Sequence, residues 1–498
     1  MTGAGYMELL KLVAPESIMV LTVLGVLAAD LWGLRGEELP FRRSMGAIIS
    51  CSGCAGAIGW MLVAPQQANF AEGILVVDPL TQLVKVALLV LTVCAILITV
   101  DTDFTPHTGE YFALILLAAV GMMFLVSSED ILMIFISLEL TSLSLYILTA
   151  FNKRQAKSAE AALKYFLFGG MAAAFTLFGL SLLYGFSGST SLGGIADAIK
   201  GPRLDPLLVA AIVMTLIGFG FKVAAVPFHL WAPDVYEGAP APSAAFIASG
   251  SKVAGLVVLA KVVMIGFKGA EGSAAWHGYL PGWVPVLAVL AGASMVVGNL
   301  AAIAQTSVRR LLAYSAIAHA GYMLLGVLGH DGQSLAALIY YVITYALTTL
   351  GAFGVVAVVQ ERVGGDRLSD FAGLSRRAPF LSFCMLVFML SLAGIPPLAG
   401  FFGKFYVFAA ALNSDPKNLG LLWLVIVALG MSAVSLYYYL RVLKQIYVAE
   451  PAADAIPVRA SVLSRVFLAL LSLAVVVLGC APNLLIDKLV QAIRLAGF

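Results

Sequence analysis

Charge is scarce in this sequence. Asp, Glu, Lys and Arg make up 11% of its 498 residues, against about a quarter in soluble domains. A chain this poor in charge and 61% hydrophobic cannot cover a water-facing surface, which excludes a soluble globular protein. Cysteine is scarce as well. Cys51, Cys54, Cys94, Cys384 and Cys480 all lie in apolar segments, and the Cys51/Cys54 pair has no metal-ligand or redox-motif context, so packing as small buried hydrophobes is the better reading. A Gly-rich dinucleotide loop after a strand, a cluster-binding cysteine set and a paired-histidine haem signature are all missing. Redox chemistry within this chain is therefore not expected, nor is a cofactor or metal site of its own. The first apolar run, Leu12 to Leu34, contains Pro15 and Glu16 and lacks an A-x-A cleavage site, so it reads as a span and not as a removed signal. No nucleic-acid partner is expected.

Long apolar runs are what the chain has in abundance. Each is able to cross roughly 30 Å of hydrocarbon, and backbone groups in lipid must be satisfied within the segment, so the spans are helices. The fold class is an all-α integral membrane protein. Fourteen spans are predicted: 12–34, 44–64, 74–99, 110–127, 129–151, 160–186, 206–230, 243–267, 283–304, 309–329, 334–360, 378–412, 419–447 and 461–490. Loops after odd-numbered spans hold sixteen Lys and Arg, whereas the opposite side, with Lys11, Lys200, Arg203, Lys268, Lys417, Lys488 and Arg494, holds seven. The positive-inside bias then places both termini away from the cytoplasm.

The remaining six basic residues are all lysines inside spans: Lys85, Lys164, Lys222, Lys252, Lys261 and Lys404. Arginine stays charged in proteins, whereas a buried lysine can give up its proton when its surroundings change. A lysine at mid-membrane costs about 2.5–3.5 kcal/mol on the insertion scale, so several of them point to use. Lys85 reads as structural or snorkelling, with Asp78 two turns away and out of reach, and Lys261 reads as snorkelling near its span end.

Compared with itself, the chain repeats at an offset of about 180 residues. AALKYFLFGGMAAAFTLFG (161–179) resembles AALIYYVITYALTTLGAFG (336–354), Glu139 meets His319, and Lys222 in a proline-broken span meets Lys404 in another. Five spans per copy is an odd number, so the copies are inverted, as in secondary transporters with paired broken helices. The expected organisation is an N-terminal three-helix segment (1–109), two five-helix repeats (110–267 and 283–447) and a C-terminal helix (448–498). In GFGFKVAAVPFHLWAPDVYEG (218–238), Pro227 and Pro233 are expected to break the helix beside Lys222 and free carbonyls for a hydrated cavity.

Glu139 lies mid-span and needs a cation; Lys164 and Lys222 are the candidates. A static ion pair that only fixes helix register is the bland alternative. Making and breaking such a pair would instead switch the lysine's hold on its proton. His319 fits either a relay, since imidazole titrates near neutral pH, or a satisfied core position. His229, after the break, is a candidate guard of a water entrance.

PFHLWAPDVYEGAPAPSAAF (227–246) and SLAGIPPLAGFFGKFYVF (391–408) resemble the antiporter-like membrane subunits of respiratory complex I and their relatives among multisubunit cation/proton antiporters, and the resemblance runs along essentially the whole chain. PDVYEGAP together with a lysine in the twelfth span points to one branch of that family; a plastid-type photosynthetic relative shares PDVYEG. The resemblance implies a proton-translocating subunit of an NADH-quinone oxidoreductase. It implies Glu139 as the glutamate that pairs with Lys222, Lys252 as a central lysine passing protons sideways, Lys404 as the exit-side lysine, and Lys164 as a lysine near the pair. It also implies that NADH, FMN, iron-sulfur clusters and quinone belong to partner subunits, and that a neighbouring antiporter-like subunit, small membrane subunits and membrane lipid surround the chain. A cation/proton antiporter without a redox partner, or a scaffold whose lysines only hold helices, remain open at this point.

Overall fold

The computed structural model describes residues 9–64, 67–200, 204–275, 278–414, 419–451 and 456–498; Arg203 and Lys417 of the charge tally lie outside them. The described chain is almost wholly helical. The first helices are α1 (Ala14–Ala28, continued by a π turn to Gly33), α2 (Leu39–Val63), α3 (Pro79–Val100), α4 (Thr108–Val126), α5 (Ile131–Thr149), α6 (Ala156–Ser187) and the short α7 (Leu192–Ala198). They are followed by α8 (Pro206–Val223), α9 (Trp231–Gly238), α10 (Ala241–Lys261, continued by a π turn to Gly266), α11 (Trp283–Ile303), α12 (Val308–Leu328) and α13 (Gly332–Val363). The last are α14 (Leu374–Arg377), α15 (Pro379–Ala393), α16 (Ala399–Asn413), α17 (Leu422–Tyr447), α18 (Val462–Cys480) and α19 (Asn483–Leu495).

Among the described residues, 13 helices are long and apolar enough to cross a membrane. The expected twelfth span, 378–412, is instead two helices, α15 and α16, of 15 residues each, and the count of fourteen rests on reading them as one interrupted crossing. Several boundaries move: the second span starts at Leu39, the seventh ends at Val223, and the third and the last change in kind. The predicted third span begins inside a hairpin, Ala68–Phe70 paired with Leu75–Val77; the helix starts only after Asp78, whose carboxylate accepts from Thr81 N–H (2.7 Å) while Thr81 Oγ accepts from Asp78 N–H (2.9 Å), a capping box that fixes the first turn. The predicted last span ends at Cys480, and beyond Pro482 a separate helix, α19, begins.

Two backbone features recur between the halves of the chain. Helices α6 and α13 are each 32 residues long, and each ends on a left-handed glycine, Gly188 or Gly364, whose N–H bonds back to Tyr184 or Gln360; these pairs stand 176 apart. The two breaks also share one geometry. Helix α8 ends on left-handed Ala224, with Ala225 N–H reaching Gly220 O, and α15 ends on left-handed Gly394, with Ile395 N–H reaching Leu390 O. This six-residue closure satisfies carbonyls left open at a helix end. It sets the breaks 170 apart, not 182, so Lys404 corresponds to Asp234, each ten residues beyond its left-handed residue, and Lys222 has Leu392 as its counterpart.

Pro227 lies in the first break, but Pro233 is in the first turn of α9, where a missing N–H has no intrahelical partner to lose; it helps start the second half and does not interrupt it. Every residue of Ala241–Lys261 in α10 is buried, whereas α6 exposes Leu163, Phe166, Leu167, Met171 and Phe178. An apolar exposed face suits lipid or neighbouring subunits.

Candidate functional site

Lys222 is the second-last residue of α8 and is 6% exposed. Its ammonium donates to Ser142 Oγ at 2.9 Å, one turn beyond Glu139 on α5. The half-buried Glu139 carboxylate makes no ion pair with Lys222 or Lys164 in this conformation, so the expected pair is drawn as neighbours and not as a closed bridge. Ser142 can accept from an ammonium or donate to a neutral amine, which gives Lys222 a partner in both protonation states. Around the break, Trp231 Nε1–H donates to Phe221 O (3.1 Å) and Val226 N–H to Ser294 Oγ (2.9 Å), which ties backbone groups at the end of α8 to side chains. His229 is buried in the turn and its Nδ1 makes no hydrogen bond; no ion pair or hydrogen bond joins it to the other candidates.

Glycine 255 ties Lys222 to the next lysine. A methyl on it would lie 3.3 Å from Lys222 Cγ, so the Lys222 stem rests against α10 about one turn from Lys252. Lys252 is 2% exposed, donates to Ala316 O on α12, and holds its ammonium 5.5 Å from the Tyr345 ring centroid. Almost one turn after Ala316 stands His319, which is buried, with Nδ1 at 2.8 Å from Tyr341 Oη and Nε2 at 3.1 Å from Tyr439 Oη. Tyr439 also bonds Ser315 Oγ, and the Tyr345 ring stacks obliquely on the imidazole at 4.9 Å. Lys404, 4% exposed on α16, folds back over the second break: it donates to Ala393 O (3.0 Å) and Ser432 Oγ (2.9 Å), and lies 5.1 Å from the Tyr322 ring. Tyr322 is fixed by Asn299 Nδ2–H (2.9 Å), whose Oδ1 accepts from Tyr438 (3.0 Å).

Lys252 and Lys404 thus have carbonyls, hydroxyls and aromatic faces around them and no carboxylate in contact. Such surroundings hold an ammonium by charge–dipole and cation–π attraction without the fixed counter-ion that would make the proton permanent.

Lys164 stands apart from Glu139. It bonds Glu160 one turn back on α6 and Asp234 on α9, both at 2.7 Å. Arg310 of α12 bonds the other Asp234 oxygen (2.7 Å) and Glu237 (3.0 Å), and Lys157 reaches Glu237 as well (3.2 Å). Arg309 is buried and donates to the Tyr236 and Ala239 carbonyls and to Gln360, the place where a helix end favours a cation. Sequence reasoning counted both arginines as loop residues and overlooked Asp234 and Glu237, although both stand in the PDVYEG stretch. Lys85 has a partner that was also overlooked: its ammonium is 2.6 Å from Glu16 on α1. Lys261 does not snorkel; it is 2% exposed and pairs with Glu129 at 3.1 Å.

Residues 128–432 match the family described as NADH:quinone oxidoreductase/Mrp antiporter, transmembrane. A curated relative from Acidobacterium capsulatum, NADH-quinone oxidoreductase subunit N 2, is 54% identical over 97% of this chain and 99% of its own. A chain in the structure of respiratory complex I from Thermus thermophilus with bound aureothin is 34% identical, with a TM-score of 0.76 over 95% of this chain and 99% of that one. A chain of the Mrp complex from Dietzia sp. DQ12-45-1b is 20% identical and shares the fold, with a TM-score of 0.82 over 98% of each. Broken helices, buried lysines and full-length likeness agree: the chain belongs to the NADH:quinone oxidoreductase/Mrp antiporter family of multi-pass membrane subunits, with subunit N of NADH-quinone oxidoreductase among its relatives.

Proposed function

We propose that this chain is a proton-translocating subunit of a proton-pumping NADH-quinone oxidoreductase, in which electron transfer in other subunits drives protons along Lys222, Lys252 and Lys404. NADH, FMN, iron-sulfur clusters and quinone are held by those partners. Closing the Glu139–Lys222 pair favours the ammonium; opening it leaves Lys222 on Ser142, from where the proton passes towards Lys252 about one turn away. His319, with a tyrosine hydroxyl on each ring nitrogen, relays between Lys252 and the Lys404 half: a neutral imidazole donates from one nitrogen and accepts at the other, so a proton taken on one side is released on the other. Lys404 then gives its proton to the side opposite the basic loops, which is the non-cytoplasmic side of a bacterial inner membrane and the side of both termini. The neighbouring antiporter-like subunit and small membrane subunits cover part of the exposed apolar faces, and lipid covers the rest.

The observation that carries this reading is the pair of buried lysines, Lys252 and Lys404, without carboxylates, on either side of a histidine bonded at both nitrogens. The test is proton uptake against NADH oxidation in reconstituted vesicles. Lys222→Met, Glu139→Gln and Lys404→Ala are expected to assemble and to lower the number of protons moved per electron. Assembled Lys222→Met and Lys404→Ala complexes that pump at the native ratio would leave these lysines a purely structural role.

A further inference from the structure

The charge network on the basic-loop side belongs to no step described so far. It surrounds a cavity of about 200 Å³ lined by Lys157, Glu160, Lys164, Asp234, Glu237 and Arg310. Three observations give it a role. First, Lys164 has two anions beside it while Glu139 has no cation bonded to it. Second, the antiparallel pair α5/α6 brings the two residues to similar depth. Ser158 Oγ bonds Thr149 O at 2.6 Å, and from that rung Glu139 lies about 15 Å down α5 and Lys164 about 9 Å down α6 by helix rise. The difference of about 6 Å is the length of a lysine side chain, whose four-carbon stem rotates freely. The Lys164 side chain is 39% exposed, so its outward position is set mainly by its two ion pairs and not by burial. Third, Asp234 is the register mate of Lys404, each ten residues beyond the left-handed residue of its break. If the copies are inverted, as proposed, the position that carries an ionisable group towards one face of the membrane in the second half carries one towards the opposite face in the first.

We infer that Asp234 is a positioning residue that competes with Glu139 for Lys164. With Lys164 on Asp234, Glu139 is free to close on Lys222. With Lys164 released inwards, Glu139 is engaged by it, and Lys222 loses its counter-ion. Arg310 keeps Asp234 ionised and in place through the exchange, and because Arg310 stands on α12, it ties this choice to the second half of the chain. No bond is made or broken; one ammonium changes carboxylates.

This inference rests on the proton path proposed above, and the experiment separates the two. Intact complex in vesicles carries Asp234→Asn, Asp234→Glu, Lys164→Gln, or Asp234→Asn with Lys164→Gln, beside Lys222→Met. Asp234→Asn leaves Arg310 with Glu237 and Lys164 with Glu160, so assembly is expected. Its protons-per-electron ratio should fall, and the pH profile of that ratio should move by at least about one pH unit, as expected when a charge partner changes. The charges facing Asp234, namely Lys157, Glu160 and Lys164 on α6, Glu237 on α9 and Arg310 on α12, are the same in the Asp234→Glu complex, which should recover most of the native profile. The double variant should match Lys164→Gln alone, since Asp234 acts through Lys164. Additive losses, a native profile in Asp234→Asn, or an Asp234→Glu complex as impaired as Asp234→Asn would overturn the inference. If those appear while Lys222→Met has lost pumping, only the competition falls; if Lys222→Met pumps natively, the path itself falls.

Discussion

Removing Glu16 is the sharpest structural test this molecule offers. Glu16 and Lys85 are each 1% exposed, 2.6 Å apart, and join α1 to α3 in apolar surroundings. Neither Glu16 oxygen has a further hydrogen bond, so the lysine is its whole support. Breaking a buried pair by deleting one partner typically costs about 3–5 kcal/mol, because a charge is left uncompensated, while replacing both partners with apolar side chains of similar size is often neutral. Glu16→Gln is therefore expected to weaken the tie between α1 and α3 by about 3–5 kcal/mol, which corresponds to local opening enhanced by roughly two to nearly four orders of magnitude. Glu16→Leu combined with Lys85→Met should return close to native. Hydrogen exchange by mass spectrometry on the intact complex reads this directly in peptides from residues 14–28 and 79–100. Native exchange in the single variant, or a double variant that opens as readily as the single, would refute the assignment of this pair as a stabilising tie between α1 and α3.

Two further outcomes follow from contacts already described. Gly255→Ala places a methyl about 3.3 Å from Lys222 Cγ, tighter than ordinary contact, so the lysine must shift; protons per electron should fall in vesicles although no charge has changed, and a native ratio would show that Lys222 has slack. Tyr439→Phe removes the hydroxyl shared by His319 and Ser315; pumping should fall with NADH oxidation less affected, and equal retention of both would take Tyr439 out of the relay.

Composition and the length of the apolar runs were enough to expect a membrane protein of helices, because runs this long exceed a barrel strand and satisfy their backbone as helices. The buried lysines stood out for the same reason: a charge in oil is conspicuous. Less visible were the partners. Glu16 lies 69 positions from Lys85, and no periodicity relates different helices. Lys261 seemed close enough to its span end to reach water, yet it is 2% exposed and its ammonium meets Glu129. Arg309 and Arg310 looked like loop residues because positive charge usually marks loops; the first turn of α12 instead uses them to hold the end of α9. The break itself was legible from Pro227. The second break was legible from its own prolines as well; the register between the two was not, since the shared feature is a backbone closure at Ala224 and Gly394 that two different residues adopt.

The complete enclosure of α10 has one more consequence. A helix with no face open to lipid has no soft side on which to absorb a displacement, so any tilt or rotation imposed on it must be passed to the helices on both flanks. Lys222 leans on it from one half, and Lys252 reaches from it to α12 in the other. Whatever moves the first broken helix is thereby registered mechanically, as well as by charge, across the middle of the protein.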